Sequence, residues 1–498
     1  MDSPIKHAAF FFSTLLTAAI VLAFTFWKRK ILQKSANSLS APRPTSIAYP
    51  ILGSLQYFSR HWDFLRSATK NGPVSYHLAS HKCIAVPVEN RQQFFSDSRT
   101  SFALAYAVML GATPSMNKDF LSSMGFDITL GGRSNKFLVA LMRKERINDN
   151  LPILYSYADQ CISGLSAQTN PFETIYATIF RLTVNTIASS SIASSPAICA
   201  ALGEIFHELD QSGTPFTILF PWFMGWERIQ RFYLMKKFYN IMTAAIDERR
   251  KEGRNEDDPM QYFIDAGLSS MEITQFTLAA LFAGIANTGI VAAYILCDLA
   301  THPEYLAQVR EELDGFVSSF NQDESIPLST RIQSITYEDW IATGNLPILD
   351  RCLTETLRLR IATPLHRLND SGKDIEIGGI LMPRDTIMTF HTSFMHHNED
   401  FYTEPLKWDP ERFSEGREED KSAPMSFCGW GLGRHQCLGQ KFAKFEIFLL
   451  TALMVSSYDM QAVNKDGLPI TEMPPVELNN TVISPPNPAV HLKLLARS

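Results

Sequence analysis

Phe427-Cys428-Gly429-Trp430-Gly431-Leu432-Gly433-Arg434-His435-Gln436-Cys437-Leu438-Gly439 sets four glycines and Leu438 around one cysteine, and an apolar helical pattern begins directly beyond it. Glycine lets a backbone turn sharply and come close to a flat group. A thiol beside the start of a helix, with Arg434 and His435 nearby, is expected to have its anionic form favoured, and an anionic sulfur is a metal ligand. Most cysteines in a long chain are small buried hydrophobes. That reading suits the other six, at 83, 161, 199, 297, 352 and 428. Cys428 is the internal competitor, but it precedes the glycines and lacks the Leu-Gly and the helix that follow Cys437.

Three patterns stand upstream. Glu355-Thr-Leu-Arg358 places an acid and a base three apart on one helix face, a spacing that by itself is common on solvated helices. Asp409-Pro-Glu-Arg412-Phe413 follows, and Thr363-Pro-Leu-His-Arg367 lies between the two. Further back, no charged residue occurs between Gln275 and Asp298, and Ala283-Gly-Ile-Ala-Asn287-Thr288 sits in the middle of that run. The run is long enough for a membrane span, but it also suits a helix through the core of a large domain.

In this order the motifs resemble the cytochrome P450 superfamily, over nearly the whole chain. The superfamily pattern Phe-x-x-Gly-x-Arg-x-Cys-x-Gly is met at Gly433, Cys437 and Gly439. Trp430 replaces its Phe and His435 its Arg. Arg-His before the cysteine is similar to sterol 14-demethylases; the Trp is similar to prostacyclin synthase and the bile-acid hydroxylases. The resemblance implies heme b (iron protoporphyrin IX) with an axial cysteine thiolate from Cys437. It also implies His435 and Arg367 as propionate partners, an ion network of Glu355, Arg358 and Arg412, and Asn287 and Thr288 over the distal face. The family's usual acid–alcohol pair is absent, since Ala286 and Asn287 stand there. The family's Trp-x-x-x-Arg also has no match in residues 100–150, where Lys136 or Arg133 would have to substitute.

The implied fold is mainly α with a minor β-sheet region. Helices are expected over Trp226–Gly253, Pro303–Phe320, Leu346–Arg360 and Gln440–Leu453 from their periodicity. Strands are expected over Ile51–Tyr57, Ser75–Ala79, Ile375–Leu381 and Val490–Leu495. Ala8–Trp27 is a charge-free run followed by Lys28-Arg29-Lys30. It is expected to be a single-pass transmembrane helix with the rest cytoplasmic, because a cleaved signal would carry its charge before the run. Residues 1–7 would then be a short lumenal N-terminus. A basic and Pro-rich linker (28–50) leads to one haem-binding catalytic domain (51–498), at the endoplasmic reticulum membrane.

Other classes lack support. A net charge of −6 without long basic runs gives a nucleic-acid partner no electrostatic footing. Seven scattered cysteines without CxxC pairs fit neither a disulfide framework nor a zinc site. Gly-x-Ser-x-Gly, His-Glu-x-x-His and GxGxxG are all missing, and His396-His397 reads as a turn in a polar loop. By resemblance the chain is a monooxygenase acting on a lipophilic small molecule, terpenoid or steroid-like, with electrons from NADPH-cytochrome P450 reductase. The alternative is an isomerase or dehydratase that rearranges a peroxide or oxygenated substrate without external electrons.

Overall fold

The computed structural model describes residues 42–45, 48–109, 111 and 130–497. The expected membrane helix and most of the linker lie outside them. The chain divides into two compact units. One takes in the described residues up to Ala105 together with His366–Phe390; the other takes in Tyr106–Leu365 and the chain from His391 onward.

The first unit is built on a mixed sheet of β1 (Arg43–Pro44), β2 (Val74–Leu78), β3 (His81–Ala85), β4 (Thr100–Ser101), β5 (Pro364–Asn369) and β6 (Thr386–His391), in the order β1-β2-β3-β6-β5-β4. β2 and β3 pair antiparallel with Val74 opposite Ala85, and β3 runs parallel to β6 with Lys82 opposite Thr386. The strand expected over Ile51–Tyr57 does not form. Gly53 makes only isolated bridges to Tyr49 and Leu78, and a helix begins at Gln56. Gly53 is at φ +81°, and a Cβ there would fall 1.9 Å from the carbonyl oxygen of His77, so the chain turns under β2. The strand expected over Ile375–Leu381 is a hairpin, Ile375–Ile377 against Ile380–Met382, turned at Gly378-Gly379.

The second unit is helical. Its main elements are α1 (Lys144–Ser163), α2 (Pro171–Ile187), α3 (Trp226–Glu252), α4 (Ser270–Thr301), α5 (Pro303–Phe320), α6 (Pro347–Arg360) and α7 (Gln440–Ser457). The uncharged run lies in α4, whose 32 residues span about 48 Å. A reciprocal cap starts it: Ser269 Oγ accepts from the N–H of Glu272, whose carboxylate accepts from the N–H of Ser269. Most of its apolar window is buried, against α2, α3, α6 and α7, so it is a core helix rather than a second span. Gly284 and Gly289 serve this packing. A Cβ on Gly289 would lie 2.6 Å from the Tyr176 ring of α2, and one on Gly284 would touch Thr183. The smaller sheet pairs Tyr458–Val463 with His491–Ala496, and the latter with Gln168–Thr169.

Candidate active site

Cys437 sits on the loop that feeds α7. Its N–H donates to Trp430 O at 2.8 Å, and Gly431 N–H donates to Cys428 O at 2.9 Å, so the loop folds back on itself. Gly431 has φ +74°, and a Cβ there would come within 2.4 Å of His435 O; only glycine closes the loop. Arg434 and His435 lie in the short 3-10 turn Gly433–His435. Of the seven cysteines Cys437 alone is exposed, and a Cβ added to Gly439 would meet nothing within 4 Å. Open space beside one accessible thiol fits a flat iron-bearing group with a sulfur ligand.

The expectation that the loop itself favours the thiolate is corrected. Burial pushes the Cys437 thiol up, and the bond from Gly439 N–H pulls it only part of the way back. A metal ion bound at the sulfur would favour the thiolate. The other cysteines are less available still: burial raises Cys83 to about 12 and Cys199 to about 11. Cys428 is turned inward, its Sγ 3.5 Å from His396 Nε2, which also accepts from the Cys428 N–H at 3.1 Å. His396 is correspondingly no part of a polar loop. It ends the short helix Ser393–His396, is fully buried, and stacks on Phe427. Among the described residues no group of three His, Cys, Asp or Glu could hold a metal ion.

α4 presents a second accessible surface. Ala279, Ala283 and Asn287 are exposed at four-residue spacing in the middle of an otherwise buried helix, and the neighbouring Thr288 is buried. α7, which starts three residues after Cys437, packs on α4.

The Glu355 motif is buried rather than solvated. Glu355 holds Arg358 through two bonds of 2.7 and 2.8 Å and Arg412 at 3.1 Å, with all three side chains fully buried. Arg367 lies in the first unit on β5. Its guanidinium sits between the rings of Phe94 and Phe102, 5.1 Å from each, and donates to His366 O at 2.9 Å. His366 is kept neutral there, since burial lowers it to about 3. Lys136 is exposed on the helix Leu130–Leu141, and the Arg133 side chain lies outside the described residues.

Two buried groups escaped the sequence reading. Glu446 of α7, its carboxyl pushed well up by burial, accepts from the Thr183 hydroxyl at 2.9 Å. Asp298 of α4 pairs with Arg360 of α6. Asp298 is the charge that ends the uncharged run, and Arg360 stands two residues beyond Glu355-x-x-Arg358. Those positions were the available signal.

The sequence profile described as Cytochrome P450 matches residues 166–492. Cytochrome P450 monooxygenase AacuE of Aspergillus aculeatus is 25% identical over 97% of both chains. Cytochrome P450 monooxygenase nsrP of Aspergillus novofumigatus is 27% identical, over 98% of this chain and 95% of its own. Sterol 14-demethylase of Arabidopsis thaliana is 27% identical over 52% of this chain and 53% of its own. Among solved structures, retinoic acid bound cyanobacterial CYP120A1 aligns with a TM-score of 0.69 at 20% identity, over 93% of this chain and 100% of that chain, which shows the shared fold.

Proposed function

Because the chain belongs to the cytochrome P450 family of haem-thiolate oxidoreductases, we propose that it is a membrane-anchored monooxygenase that inserts one oxygen atom from dioxygen into a lipophilic small molecule. A terpenoid or steroid-like biosynthetic intermediate is the favoured substrate class, supported by the similarity to sterol 14-demethylase. The observation that carries the assignment of the iron ligand is that Cys437 is the sole exposed cysteine, on a glycine loop that runs into a helix packed on α4. Bound heme b supplies the redox chemistry. Cys437 would hold its iron, His435 and Arg367 would receive its propionates, and Asn287 and Thr288 would face the bound substrate. Electrons come from a separate NADPH-cytochrome P450 reductase.

With Ala at 286, protons must move through ordered water. The Asn287 amide and the Thr288 hydroxyl can both hold such a water, since each donates and accepts. The same missing acid favours one second reading, isomerisation of a peroxide substrate, which needs no relay. Turnover is expected to require NADPH, reductase and dioxygen, with label from ¹⁸O₂ in a hydroxylated product or its water. Thr288→Ala is expected to slow product formation and divert electrons to hydrogen peroxide. Full turnover under argon without a reductant would favour the isomerase.

Residues 8–27 are assigned as a single anchor in the endoplasmic reticulum membrane with the catalytic part cytoplasmic, on their length and the basic flank after them. Trp222 and Trp226, each 72% exposed, stand with Phe223 and Met224 in an apolar patch suited to the membrane interface. Removing residues 1–30 is expected to release much of the protein from vesicles with its haem content intact, the patch accounting for what stays bound. Protease protection of a fragment around 275–298 in intact vesicles would contradict the core-helix assignment of α4.

A further inference from the structure

The accessible face of α4 stops abruptly. Ala279, Ala283 and Asn287 are exposed, but Tyr294, two turns after Asn287 on the same face, is only 6% exposed. What covers it is the segment 475–487: the Tyr294 hydroxyl donates to Ser484 O at 2.8 Å, and Val482 and Ile483 line a small cavity beside it. The Tyr294 ring is fixed from two other sides. Phe172 meets it edge-on at 4.9 Å, and the Arg360 guanidinium lies 5.0 Å from its centroid.

Arg360 is held in turn. It bonds both carboxylate oxygens of Asp298, to which the Thr356 hydroxyl also donates at 3.3 Å, and the Trp408 indole N–H donates to Thr356 at 3.1 Å. Asp298 is 0% and Arg360 6% exposed. Buried ion pairs are poor stabilisers compared with apolar residues of the same volume, and their best use is to fix one geometry. The fork of an arginine on a carboxylate does this better than any apolar contact.

We propose that Asp298 and Arg360 are positioning residues that act through Tyr294 to hold the segment 475–487 at the end of the open face of α4, and so limit the bulk of ligand admitted there. The proposal rests on the haem-thiolate reading, because that reading makes this face the ligand side.

The test uses the full-length haem protein and two probes, imidazole and 1-phenylimidazole, titrated by the Soret shift each produces. Tyr294→Phe keeps the ring and its cation but loses the bond to Ser484. The ratio of the two dissociation constants is expected to move about threefold or more towards the bulkier probe, the size of one net hydrogen bond. Haem content and melting temperature should stay native. Arg360→Lys should move the ratio the same way, and the double variant should move it less than the two single effects combined, because the residues act in series. A purely structural role would lower stability and leave the ratio alone. An unchanged ratio in Tyr294→Phe overturns the proposal, whatever Arg360→Lys does. A native protein that gives no imidazole shift would overturn the haem reading itself, and this inference with it.

Discussion

Arg358→Ala is expected to lower the melting temperature sharply and to reduce the haem-loaded protein recovered at 37 °C. The Arg358 side chain is fully buried and makes two bonds to Glu355, while its remaining N–H groups donate to the carbonyl oxygens of His396 and Pro405 and, at 3.4 Å, of Lys407. Glu355 also accepts from Arg412 and from the N–H of Asp409. Arg412 donates to the carbonyl oxygens of Thr403, Glu404 and Lys407 and pairs with Glu419. One carboxylate and two guanidinium groups thus pin α6 to the irregular segment 396–419. Breaking a buried network by removing one partner costs about 3–5 kcal/mol, against a total stability of about 5–15 kcal/mol. Arg358→Lys is expected to lower the melting temperature as well, because one ammonium cannot reproduce the fork. Haem per chain and thermal melting check the prediction. A melting temperature within a degree or two of native would contradict it.

Cys437→Ser is expected to have the opposite profile. No side-chain bond of Cys437 holds the fold, and its N–H bond to Trp430 O survives the exchange. Melting of the polypeptide should therefore change little. NADPH- and reductase-dependent turnover should fall to background, since a serine hydroxyl stays protonated and offers no thiolate to iron. Cys428→Ser should behave in reverse. It places a hydroxyl in a buried site against His396 and Phe427, where some stability is lost, but it leaves the iron ligand in place. Parallel measurements of melting and turnover for both variants separate the two roles.

Periodicity made the helices legible. Pro303–Phe320 begins and ends where its pattern does, and α3 stops at Gly253, a left-handed C-cap. α7 runs four residues past its expected end, through the buried Met454 and Val455 to the half-buried Ser456 and Ser457. Short strands were harder to read, since their identity depends on partners distant in sequence. Ile51–Tyr57 has strand-like residues but bridges only at Gly53 before a helix begins at Gln56, and Gly378-Gly379 turns what reads as one strand into two. The cysteine loop was legible because glycine and cysteine at that spacing have few other uses. Its electrostatics were not, because the surrounding protein raises the Cys437 thiol and the Gly439 N–H offsets that only in part. Nor was the second ion pair: nothing in the sequence brings Asp298 to Arg360 until α4 and α6 pack together.

The most direct measurement is the absorption spectrum of the reduced, carbon monoxide-bound protein, recorded for the native chain, Cys437→Ser and Cys428→Ser. Thiolate ligation by Cys437 predicts the red-shifted Soret band in the native chain and in Cys428→Ser, and its loss in Cys437→Ser. A band that survives Cys437→Ser and disappears in Cys428→Ser would contradict the account.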